Sequence, residues 1–351
     1  MELEFKKDFT EAQKVWDNFW AGKNMLPIIS AVLPKPGIEP VAKPPYAAGK
    51  NGEFNIVIDQ LLRWAETHDF LYSAIPFYYL EFTANQFATF LGAEETDTDG
   101  EAGHGWMVPI IKNLDSAEIR FQTNSKGWQF IVERAELLKK RCAGKLLIAS
   151  PTLVANLDAL AALRGTQELL MDLVDNPEGV HRCLKQISVA HKQVLDEFSK
   201  VFEYNKYGSI NRHGMYSRGR INVAQCDFSC MISPDMFREF ALPYIREEID
   251  RYDAGEYHLD GPGAVKHVAA ICEIEKLDII QWVPGAGNEG KDWSALYTDI
   301  DNRGKGMLRG GKLQNLPKVW NNTKSNKLFW TTSSASSSSE FADCMATLKK
   351  K

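Results

Sequence analysis

Residues 255–263, GEYHLDGPG, are the stretch whose reading decides the fold. In an extended strand successive side chains leave opposite faces. His258 and Asp260, two apart, therefore share a face and can meet one metal, one water or one substrate group, while Leu259 points into packing. Gly261, Pro262 and Gly263 break the strand at once, and 264–274 reads as a helix. A strand-to-helix turn with polar groups at its mouth is where α/β proteins place their sites. The same pair also reads as a backbone-satisfied histidine and a helix-capping aspartate.

Outward from this turn, apolar strand segments alternate with helical periodicity. The strands are expected at 26–33, 70–75, 145–150, 222–228, 257–260, 279–283, 306–309 and 327–332. Eight βα units predict a closed (β/α)8 TIM barrel. An open doubly wound sheet is the rival, but no GxGxxG follows the first strand. Phe9, Ala12, Val15, Trp16, Phe19 and Trp20 stand at helical spacing ahead of the first strand. At 351 residues the expectation is one domain over 1–351 with an N-terminal helical extension, a size a single α/β barrel reaches.

The formal net charge of −5, with no basic block to offset it, argues against a nucleic-acid or anionic-membrane surface. The opening MELEFKKDF has no apolar core after positive charge, and no apolar run approaches a membrane span, so the expected location is cytoplasmic. Six cysteines without a CxxC pair suit reduced thiols. Cys226 and Cys230, four apart, could form half a metal site, though buried structural thiols are commoner.

In a barrel, function gathers at the carboxyl ends of the strands, which here carry Glu81, Asp158, Asp227, His258, Asp260, Trp282, Arg309 and the serines from 333 onward. Four carboxylates with one histidine suit general acid–base work or a hard metal with oxygen and nitrogen ligands. Each acid alone also reads as a helix cap. RGGK at 309–312 and the serine-rich turn after the eighth strand suggest an anion site holding a phosphate or carboxylate with Arg309 and Lys312, against a plain glycine turn and polar cap. Tyr78, Tyr79, Tyr257, Trp282, Trp106 and the nearby His104 could wall a flat conjugated ring, or simply be core.

DFSCMISPDMFREFALPYI at 227–245, PTLVANLDALAALRG at 151–165, the YHLDG strand and the LRGG strand, in that order, resemble the uroporphyrinogen decarboxylase superfamily, which also holds corrinoid-dependent methyltransferases. The resemblance covers nearly the whole chain and implies a (β/α)8 barrel with its site at the carboxyl-end mouth. True uroporphyrinogen decarboxylases carry an RQAGR loop and an FSD aspartate. Here the loop reads LPKPGIEP and the strand YSAI, with Ala74 in the aspartate's place, and alanine cannot stabilise a protonated pyrrole. The methyltransferase branch is similar in Pro76, Phe77, Glu81 and Leu91-Gly92-Ala93-Glu94. That branch implies zinc on His-x-Cys and a distant cysteine. In this chain His258 stays, Asp260 replaces the first cysteine, and the second falls in the serine run.

The expectation is therefore a methyltransferase moving a methyl group between a small methylated substrate or corrinoid carrier and an acceptor. His258 and Asp260 would bind zinc or another divalent metal, with Asp227 or Glu81, or act as a base pair. Asp227 would orient substrate or protonate the leaving group. Arg309, Lys312, Trp282, Tyr257, Trp106, His104 and Asp158 would line the substrate. The resemblance implies a corrinoid or tetrahydrofolate as methyl carrier and a corrinoid carrier protein as partner. A carboxy-lyase, with Asp227 as proton donor and Arg309 on the carboxylate, and a non-catalytic tetrapyrrole- or corrinoid-binding barrel are the alternatives.

Overall fold

In the computed structural model of the chain, which describes residues 2–50, 52–96, 105–332 and 337–348, the strand expected at 257–260 is present and starts earlier, at Ala254. The strands are β1 (Ile28–Pro34), β2 (His68–Leu71), β3 (Phe77–Tyr79), β4 (Leu147–Ala149), β5 (Ser209–Ile210), β6 (Tyr216–Ser217), β7 (Ile221–Gln225), β8 (Ala254–Asp260), β9 (Ile279–Val283), β10 (Gly306–Gly310) and β11 (Leu328–Thr331). The main sheet runs β2-β1-β11-β10-β9-β8-β7, and from β1 to β7 every neighbouring pair is parallel. Helices lie between these strands, so the fold is mixed α/β with a parallel sheet.

The closed barrel is not reached as a continuous ladder among the described residues, and two local causes account for the breaks. The expected strand at 70–75 is displaced: His68–Leu71 pairs antiparallel with β1, from Ala31 opposite Leu71 to Pro34 opposite His68, and occupies that edge. The parallel strand falls instead at β3, which pairs only with β4. Between β4 and β7, side-chain bonds replace the ladder. Asn222 Oδ1 accepts from the Leu153 N–H at 2.9 Å and its Nδ2 donates to the Pro151 carbonyl at 3.0 Å.

Helix starts follow local chemistry. Ser125 accepts from the Trp128 N–H, Asn176 from Gly179 and Ser233 from Met236, the last two with proline at the first helical position. The expected helix at 264–274 is a 3₁₀ turn, Pro262–His267, running into Val268–Cys272.

The strands' alternation sorts their residues into two apolar clusters. The face towards the helices carries Ile29, Tyr78, Ala224, Tyr257, Leu259, Ile280, Trp282, Met307 and Trp330. The opposite, inner face begins with Ile28, Leu147, Ile221, Ala254, Ile279, Leu308 and Phe329, which join Phe9, Trp16 and Phe19 of the N-terminal helix Phe9–Trp20. That helix caps the amino ends of the strands. Polar residues of the inner face are thereby left to the carboxyl ends.

Candidate functional site

The inner face of β8 carries Glu256, His258 and Asp260 in succession. β7 and β9 stand in register beside it, with Gln225 opposite His258 and Gln281 opposite His258 on the other side. This register explains the first contact of the site: His258 Nδ1 donates to Gln281 Oε1 at 2.5 Å. An amide oxygen can only accept, so the ring's Nε2 keeps its lone pair for the site. Burial above all, helped by Arg212 and His213, holds the His258 pKa down at about 3, so the imidazole is neutral.

Asp227 comes in from the 3₁₀ turn Asp227–Met231 that follows β7. One ligand atom from each of Asp227, His258 and Asp260 lies within 4.8 Å of the other two, a spacing that one cation can bridge. Burial raises both carboxyls, and Asp260 raises Asp227 further, while Arg212 draws both back down. Gln225 Nε2 donates to Asp227 Oδ2 at 3.1 Å and orients it. No cysteine joins this group. Cys226 is buried and Cys230 exposed, and all six thiols are free.

Glu81 lies just past β3 on the same inner face as Tyr79 and is buried. The Thr152 N–H donates to Glu81 Oε2 at 2.8 Å. Burial nonetheless pushes its carboxyl up to about 7, against the pull of Tyr79, Arg212 and that amide, so near neutrality it can both hold and release a proton.

Other expected site residues are placed differently. Asp158 is buried and spends both oxygens on the N–H groups of Asp227 (2.9 Å) and Phe228 (2.8 Å), so it anchors the turn that presents Asp227. Asp158 also lines a cleft of about 400 Å³ with Asp227, Gln225, Met107, Phe228 and Met231, and Trp106, 83% exposed, stands on its rim. Tyr257 and Trp282 face the helices; Trp282 packs edge-on against Trp293, centroids 4.8 Å apart. Arg309 faces the same way, its guanidinium 4.0 Å from the Tyr297 ring centre, and so does not meet Asp227. Lys312 is exposed. His104 and Ser333 to Ser336 lie outside the described residues.

Three residues of the site escape a reading by strand ends. Glu256, fully buried, bonds His213 Nδ1 at 2.6 Å and accepts from Asn211 Nδ2. His213 Nε2 in turn accepts from Arg212 Nε at 3.3 Å. Glu256 shares the period-two face of His258 and Asp260 and could have been found that way. Arg212 and His213 sit in the loop between β5 and β6, where no periodicity marks them.

No protein-family profile matches the chain, and no curated protein matches it either. In fold it is similar to a methyltransferase from Methanosarcina mazei, with a TM-score of 0.59 over 96% of this chain and 98% of that one, at 9% sequence identity. Among the described residues no helix is long and apolar enough to cross a membrane.

Proposed function

We propose that the chain is a metal-dependent methyltransferase on a (β/α)8 barrel, of the kind its strand motifs resemble, with Asp227, His258 and Asp260 as metal ligands. The observation that carries this reading is the 4.8 Å grouping of those three ligand atoms at the carboxyl ends of adjacent strands. The donor set fits a catalytic ion. Two carboxylates and one neutral imidazole suit zinc or another divalent metal and leave positions open for substrate. Gln281 behind His258 fixes the ring and its tautomer, as outer partners of metal-binding histidines do.

A divalent ion held by Asp227, His258 and Asp260 would supply Lewis acidity, lowering the pKa of an acceptor. The chain's own residues do the rest. Glu81, with its proton poised near neutrality, takes the proton from the acceptor or returns it to the demethylated product. Asp158 and Gln225 hold Asp227 in place. The cleft beside Asp227, with Met107, Phe228, Met231 and Trp106, receives the methylated partner. In this reading the methyl carrier is a corrinoid, on a carrier protein, or tetrahydrofolate, and the enzyme works in the cytoplasm. The similarity in fold to a methyltransferase supports the class of reaction.

The test is metal content after purification without chelator. About one divalent ion per chain in the wild type, lost in a His258→Ala/Asp260→Ala double variant that still folds, is the expected result. Protein free of metal after dialysis against zinc and manganese would overturn the proposal.

A further inference from the structure

Arg212 is held by an unusually complete support. Asn211, buried, accepts from the N–H groups of His213 and Met215, both at 3.0 Å, and its own N–H donates to the Met215 carbonyl. Gly214, at φ +81°, closes this turn where a side chain would be strained. His213 is fixed from behind by buried Glu256. Against this frame Arg212 makes one hydrogen bond among the described residues, from Nε to His213 Nε2. Neither Nη finds a carboxylate or carbonyl among the described residues. The His213 ring that Arg212 bonds stands 6.5 Å, centre to centre, from the ring of His258, so the guanidinium is held beside the Asp227, His258 and Asp260 group.

We propose that the free Nη edge of Arg212 binds a carboxylate carried by the substrate, placing its reacting atom towards Asp227, His258 and Asp260. The assignment of the reacting end rests on the metal-site reading above; the binding of a carboxylate by Arg212 does not. Two parallel N–H groups on a planar fork match a carboxylate in a bidentate pair. Glu256 is taken up by His213 and Asn211, and Glu81 accepts from the Thr152 N–H, which leaves the Nη edge of Arg212 open to a monoanion. The fork fits phosphate as well, but beside Asp227, Asp260 and Glu81 a dianion meets more repulsion than a singly charged carboxylate does. The substrate class is thus a small carboxylic acid, bearing or accepting the methyl group.

The probe is acetate, with acetamide and inorganic phosphate as comparators, titrated into zinc-loaded and metal-free protein. Acetate should bind about tenfold or more weaker to Arg212→Gln, from loss of a charge-assisted pair, with Arg212→Lys in between. Acetamide should not bind. On the wild type, which needs no variant to fold, acetate should slow phenylglyoxal labelling of Arg212, read by peptide mass spectrometry. Equal acetate affinity in wild type and Arg212→Gln, labelling indifferent to acetate, or better protection by phosphate would each overturn the proposal. Protein that takes up no metal but still shows acetate protection would overturn the metal reading alone.

Discussion

At the amino ends of the strands Ile28, Leu147, Ile221, Ala254, Ile279 and Phe329 meet Phe9, Trp16 and Phe19, while at the carboxyl ends Asp227, His258 and Asp260 gather, with buried Glu81 just past β3. The difference runs along single strands: on the inner face of β8 it is Ala254, then Glu256, His258 and Asp260. Burial of apolar surface, at roughly 25 cal/mol per Å², stabilises the first end. The second end pays in desolvation, with buried carboxyls and lone polar atoms such as Gln225 Oε1 and Glu248 Oε2. One end holds the fold together so that the other can remain imperfectly satisfied.

The sharpest way to break that comparison is at the apolar end. Trp16 is 1% exposed, donates its indole N–H to the Ser73 carbonyl at 3.0 Å and lies edge-on to Phe329 and Phe19. Trp16→Ala should lose about 3–5 kcal/mol in urea denaturation, the range for truncating a buried aromatic. Metal content per folded chain should not change. A loss under about 1 kcal/mol would mean that the N-terminal helix is not the closure of that end.

The polar end predicts the opposite sign, and pH exposes it. Glu248, buried behind the site, accepts from Asn156 Nδ2 at 3.0 Å, while its other oxygen has no partner among the described residues. Burial pushes its carboxyl up to about 8 from an ordinary 4.5. The folded state therefore keeps a proton that the unfolded chain releases. This contribution is whole below about pH 4.5 and is lost as pH rises towards 8. Glu248→Gln, neutral at every pH, should be more stable than the wild type by about 1–3 kcal/mol at pH 8.5, with the gap narrowing towards pH 5. A difference of equal size at both pH values would show that ionisation is not what Glu248 costs.

How much of this could be read in the sequence follows from which signals have a period. The strand at 257–260 is legible, because alternation puts His258 and Asp260 on one face and glycines end it; the third member stays open between Asp227 and Glu81 until the turn after β7 brings Asp227 in. The same alternation puts Glu256 on that face, but a buried carboxylate inside a strand is explained only by its partners, His213 and Asn211, which tertiary structure supplies. Arg212 lies in NRHG, a loop whose placement depends on tertiary bonds alone. The expected strand at 70–75 failed for a different reason: β3 has only three residues, and the longer apolar run before it contains a segment that pairs antiparallel with β1.

Arg309 shows the same limit at its smallest scale, a single step of parity. The LRGG strand end suggested an anion-holding arginine, but register decides which way it faces. Leu308 pairs with Phe329 and Gln281 on the inner face, so Arg309, opposite Trp330, must face the helices, where it stacks on Tyr297. Arg309→Ala should therefore cost only about 0.5–1 kcal/mol of stability, the scale of a cation–π contact. Metal content and acetate affinity should remain those of the wild type, in contrast to Arg212→Gln. If acetate binding fell about tenfold in Arg309→Ala while stability held, the arginine would be serving the inner face from the outer one. The division of each strand into a packing face and a working face would then fail at the point where it is easiest to test.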